Sequence, residues 1–193
     1  FYDIAVSPVL HLLAQIAPEP NYRWKEYCTQ TLHIAEDYGV NDVITLGAMF
    51  DECPHTRPLP LDISKSGCEC ESDREYNGPV GSPNLLDASA SEAGLSTMSR
   101  RVSVPHYSAN AECMQGTLEL LRALSVRIGY PLAEGDLIRK AAQWRAQADE
   151  LVASTHTGDY LARLERDYDL DAQAKRIASN GMPACEELIR EAE

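Results

Sequence analysis

The residues best equipped for chemistry sit in two short stretches, Asp51–Pro58 (D-E-C-P-H-T-R-P) and Val104–Tyr107 (V-P-H-Y). His55 and His106 are the side chains there that titrate near physiological pH, so either could act as general acid or base. Arg57 offers a planar fork suited to an anionic group. Asp51, Thr56 and Tyr107 add hydrogen-bonding groups beside it. A third polar stretch, Pro18–Trp24, contributes Glu19, Asn21 and Trp24. Trp24 or Tyr107 could stack on a ring, and the helix start at Asn21 could hold an anion. A structural reading of the same residues competes with this one. Prolines beside His55 and His106 stiffen strand ends, and Arg57 ties its own loop by pairing with Asp51 or Glu52.

Other chemistries have less behind them. Cys53, His55, Cys68 and Cys70 give the spacings C-x-H and C-x-C, which lack the usual gap within a zinc ligand pair. No metal and no cofactor is therefore expected. Cys28 and Cys113 fall on helix faces and read as small core residues. The sequence contains no G-x-x-x-x-G-K, G-x-G-x-x-G, G-x-S-x-G or H-E-x-x-H, so phosphate-loop, dinucleotide, serine-hydrolase and zinc-protease readings lose support.

The elements that must position these residues follow from periodicity. Val43–Phe50 is an apolar run bounded by polar residues, the pattern of a strand buried on both faces. Val9–Ala17 reads as a second buried strand, stopped by Pro18 and Pro20. Between them, Trp24, Tyr27, Cys28, Thr31, Leu32, Ala35 and Tyr38 recur at helical spacing, with Asn21 as cap and Gly39 as terminator. That order predicts a β-α-β unit with parallel strands. Leu59–Ile63 is a short strand that Pro60 confines to an edge, and Ser64–Gly81 is a long loop. Ser82-Pro83 opens a helix ending at Gly94, Leu95–Val104 is a strand, and Asn110 caps a helix running to Gly129. Amphipathic helices follow at Asp136–Ala153 and Asp159–Tyr168, with a last short one after Pro183. The expected architecture is an α/β domain over 1–130, a three-layer α/β/α sandwich with a mostly parallel sheet, and a helical extension over 131–193. Parallel strands ending at Ala17, Phe50 and Val104 would bring all three polar stretches to one rim.

Thirty acidic against seventeen basic residues give a net charge of −13. That balance disfavours nucleic acid and anionic membranes as partners. No apolar run approaches a bilayer span and no export signal is visible, so a cytoplasmic protein with free thiols is expected. The chain starts at Phe1 without a methionine, which points to a fragment.

Four stretches in this order resemble the actinobacterial proteasome-assembly-chaperone-like family: PEPNYRW at Pro18–Trp24, ITLGAMFDECPHTRPLP at Ile44–Pro60, YNGPVG at Tyr76–Gly81 and VPHY at Val104–Tyr107. Cys53 and Asn77 depart from the valine and glutamate usual there, and strands that precede this region in the family have no counterpart. The resemblance implies a fold similar to nucleoside phosphorylases, a homo-oligomer (a trimer) and an assembly or interaction role involving proteasome-related subunits. It brings no catalytic residues. The alternative function is a protein that binds, hydrolyses or phosphorolyses a nucleoside- or phosphate-like small molecule at the rim.

Overall fold

The computed structural model describes residues 1–65, 81–108 and 112–181. Its centre is the strand β5 (Ser96–Pro105), flanked by β3 (Asp42–Asp51) on one side and β4 (Leu61–Lys65) on the other. β3 runs parallel to β5 in unbroken register from Asp42↔Ser96 to Asp51↔Pro105. β4 is antiparallel to β5 and lies at the sheet edge among the described residues; it begins just after Pro60, two residues later than expected. Three helices accompany this sheet: α1 (Trp24–Asp37), α2 (Ser82–Glu92) and α3 (Met114–Ile128). Helices and a partly parallel sheet make the α/β sandwich that the pattern of elements implied.

The first strand departs from expectation. It spans Leu10–Ala14 (β2) and pairs antiparallel with β1 (Tyr2–Ser7), forming a separate two-stranded sheet. The physical reason is local. Pro8 and Val9 form a tight turn, which lets the two apolar segments close on each other as a hairpin. Val9 is almost wholly exposed at that turn. His11 Nδ1 lies 3.0 Å from Asp3 Oδ1 across the pair. Gln15 then donates to Tyr27 Oη at 3.0 Å and Thr31 Oγ1 at 3.2 Å, tying the exit of β2 to α1. The predicted β-α-β unit is therefore not formed among the described residues. Parallel exits reduce from three to two, those of β3 and β5.

β3 is also less enclosed than an apolar run suggests. It has one strand neighbour among the described residues, and alternate residues of one face stand open, Leu46 at 42% and Phe50 at 62% exposure. α1 begins later than predicted: Arg23, not Asn21, precedes its first turn, in a left-handed conformation with φ 62°.

The core lies on the other strand. Val102 and Val104 of β5 pack with Cys53 and Leu59 from the β3–β4 connection, joined by Leu61, Cys113 and Leu120. α3 crosses this face so closely that a Cβ on Gly116 would stand 3.1 Å from Val102 Cγ1, hence glycine there. Cys113 Sγ accepts from the Gly116 N–H and caps α3. Asn110, the expected cap, lies outside the described residues, as do Cys68, Cys70 and the short helix expected after Pro183. Beyond α3, α4 (Leu137–Thr155) buries Ala141, Trp144, Ala148 and Val152 at helical spacing, while α5 (Gly158–Gly181) runs well past its predicted end. No helix among the described residues is long and apolar enough to cross a membrane.

Candidate functional site

Parallel pairing of β3 and β5 sends both chains out at the same end of the sheet. The loop after β3 carries Cys53, Pro54, His55, Thr56 and Arg57; β5 ends in a single 3-10 turn, His106–Ser108. His55 and His106 thereby meet around one ring, both edge-on to Tyr107 with centroids 5.7 and 5.9 Å away.

His55 is 1% exposed, and both ring nitrogens are engaged. Its backbone N–H donates to Tyr107 Oη at 2.9 Å, and its Nδ1 lies 2.7 Å from the same oxygen. Its Nε2 lies 3.0 Å from Asp149 Oδ1 on α4. The network assigns the tautomer. The Asp149 carboxylate can only accept, so Nε2 carries the ring hydrogen and donates to it; in the neutral ring Nδ1 then accepts the Tyr107 proton. Trp144 closes the remaining side, edge-on to the imidazole. Burial pushes the Tyr107 hydroxyl up to about 12, and burial likewise pushes the Cys53 thiol up to about 12. Both stay protonated at neutral pH, so neither supplies an activated nucleophile.

Arg57 spends its fork on α5. Its Nε and Nη2 each reach Asp169 at 3.0 Å, and Nη1 reaches Glu165 at 3.4 Å. Thr56 donates to the same Glu165. The expected partners, Asp51 and Glu52, are replaced: Glu52 lies 4.0 Å from Arg163, and Asp51 accepts from Ser103 Oγ at 3.0 Å and caps the Glu52 N–H. Hydrogen bonding to Asp169 holds the Arg57 guanidinium above its ordinary value, and that contact holds Asp169 below the usual carboxylate range. His106 is exposed, with Nδ1 3.4 Å from the Asp51 carbonyl and Nε2 3.5 Å from Tyr160 Oη.

The predicted residues thus divide. Asp51, His55, Thr56, Arg57, His106 and Tyr107 share one neighbourhood. Glu19 belongs to another, where it accepts from the Ser82 N–H at 2.8 Å and caps α2. Asn21 is exposed and Trp24 half-buried at the start of α1, apart from the contacts just described. Sequence reasoning missed Trp144, Asp149, Tyr160, Glu165 and Asp169. They lie about a hundred residues further on, in helices whose periodicity reveals a buried stripe but not what that stripe faces. No cluster of His, Cys, Asp or Glu suited to a metal ion occurs among the described residues.

Comparison with known proteins decides the family. The PAC2 family model matches residues 4–152. The chain belongs to the PAC2 family. A crystal structure of a PAC2 family protein from Streptomyces avermitilis is 31% identical, with TM-score 0.67, over 74% of this chain and 62% of that one. A Mycobacterium tuberculosis protein described as of unknown function is 30% identical, with TM-score 0.76, over 83% and 57%. A second M. tuberculosis protein, described as a proteasome-assembly chaperone homologue, is 27% identical, with TM-score 0.66, over 76% and 63%. The chain therefore spans about three-fifths of the length of these relatives. No curated protein matches it.

This PAC2 chain also holds a cavity away from the histidines. A cavity of about 190 Å³ is lined by Thr45, Gly47, Met49, Gly81, Asn84 and Arg101. Beside it Thr45 donates to Asp87 Oδ2 at 2.9 Å, while Asp87 Oδ1 is buried without a hydrogen-bond partner among the described residues. Burial raises the Asp87 carboxyl above its ordinary value, opposed by the Thr45 hydrogen bond and by Arg101. A carboxyl raised in the folded state stabilises the fold below its unfolded pKa, and that contribution is lost as pH rises through the folded pKa. Asp87→Asn is therefore expected to raise the melting temperature at neutral pH and to lose that advantage in acid below the carboxylate range. Paired melting curves of the two proteins across pH check this.

Proposed function

We propose that the chain is a non-enzymatic, homo-oligomeric assembly or interaction protein of the cytoplasm, working with proteasome-related subunits. The observation that carries this reading is the engagement of its best-equipped residues within the fold. Both His55 ring nitrogens, the Tyr107 hydroxyl and the Arg57 fork are taken up by contacts that dock α4 and α5. Of the site candidates, His55, Thr56, Arg57 and Tyr107 then act as positioning residues, and Glu19 as a helix cap. The α/β part over 1–130 carries the Cys53–Arg57 loop, and the extension over 131–193 closes over that loop through α4 and α5. The description of the M. tuberculosis relative as a proteasome-assembly chaperone homologue supports the class of partner, and the negative charge supports a partner with a basic face.

The test is native mass spectrometry of the chain alone and mixed with actinobacterial proteasome subunits. A trimer alone and a discrete complex with subunits are expected. A folded chain that stays single and joins no subunit at low salt overturns the reading. So does a clear rise in melting temperature with a nucleoside or phosphate in large excess, which mass action would produce for a true small-molecule site.

A further inference from the structure

α4 and α5 are both held against the Cys53–Arg57 loop, but by different forces. α4 is anchored by a buried stripe, Ala141, Trp144, Ala148 and Val152. α5 has one fully buried side chain among its described residues, Leu164 at 2% exposure. Leu170 and Ile177, further along it, are about two-thirds exposed. Its grip on the loop is ionic instead. Arg57 takes Asp169 and Glu165, and Arg163 approaches Glu52; Arg57 and Glu165 are half-buried, whereas Asp169, Arg163 and Glu52 stand open to solvent.

The link between the two helices is shaped for movement. α4 ends at His156, held in the left-handed conformation (φ 54°, ψ 34°) that non-glycine residues avoid, and Gly158 begins α5. A left-handed residue two positions before a glycine, between two otherwise regular helices, is a place where a rotation is absorbed easily.

We propose that α5 is a hinged strap, closed over the Cys53–Arg57 loop by an ionic latch, that lifts from the loop as a unit when its charges are screened. Exposed ion pairs weaken once the screening length falls below their separation, whereas apolar burial does not. Salt therefore acts on α5 and spares α4. This inference is independent of the proposed partners. It concerns access to His106 and Tyr107, whose rings Tyr160 of α5 covers with centroids 5.8 and 6.3 Å away.

Amide hydrogen exchange on the full chain tests it, from dilute buffer to about 1 M salt, where the screening length falls to about 3 Å. The His55 N–H, which donates to Tyr107, and the amides of α5 are expected to exchange about tenfold faster in high salt, the loss of a few exposed ion pairs. Amides at Ala141–Ala148 should hold their rates. Arg57→Gln should exchange fast at every salt concentration, with the salt response gone, whereas Leu164→Ala should keep it. Salt-independent rates at His55 and α5 overturn the strap. Acceleration shared equally by α4 and β5 overturns it too, because that is general loosening. An undiminished salt response in Arg57→Gln places the latch elsewhere and overturns the assignment.

Discussion

His55→Ala is expected to cost the fold about 3 kcal/mol, a sum of a lost buried ring and lost hydrogen bonds. The imidazole fills space between Tyr107 and Trp144, and its removal leaves a cavity that the Pro54-bounded loop cannot collapse into. The phenol loses the acceptor for its proton inside a pocket that water reaches poorly. Asp149 suffers less, because its side chain is 66% exposed and regains water. His106→Ala should cost under about 0.5 kcal/mol, the usual range for an exposed side chain away from special features. Urea unfolding of the two variants separates the readings of the histidines. A general base predicts that either replacement leaves the midpoint in place. A positioning residue predicts a large shift for His55 alone. A cycle with Tyr107→Phe should be non-additive, since the two side chains share one network.

Trp144→Ala is expected to cost about 4 kcal/mol, the range for truncating a large buried aromatic side chain. It removes the largest member of the α4 stripe and one wall around His55. Trp144→Phe should cost under about 1.5 kcal/mol. The reason is the indole nitrogen: Nε1 is buried with no hydrogen-bond partner among the described residues. Phenylalanine loses volume but also removes an unsatisfied donor, and the two effects oppose. Melting temperatures of the three proteins check the order. A Phe variant as damaged as the Ala variant would mean that the indole N–H has a partner.

Element types were largely legible in the sequence because their signals are local. The periodicities of α1, α3 and α4 gave helices, and Pro60 gave an edge strand. The long-range pairings were not legible. Nothing in Leu10–Ala14 says that its partner is Tyr2–Ser7 across a Pro8 turn rather than β3, because both neighbours offer apolar residues at alternate positions. The apolar run Val43–Phe50 reads the same whether one or two strands lie beside it.

The candidate site divides along the same line. The meeting of His55, His106 and Tyr107 follows from parallel β3 and β5, and that inference holds with two strands in place of three. The nearby-pair expectation for Arg57 failed because sequence distance is a poor guide to charge pairing. Asp169 and Glu165 reach the guanidinium from a helix more than a hundred residues on. Asp149 gives no sign in the sequence that it addresses a histidine.

The side of β3 that has no strand neighbour among the described residues carries its own consequence. Two molecules that met there strand to strand, head to tail, would bring Asp42 of one opposite Asp51 of the other, and the reverse at the far end. Like charges directly opposed across such a seam repel. Arg127, which pairs with Asp42 at 2.9 Å, offsets part of that repulsion, so the apolar residues between the two carboxylates would decide how firmly such a seam holds.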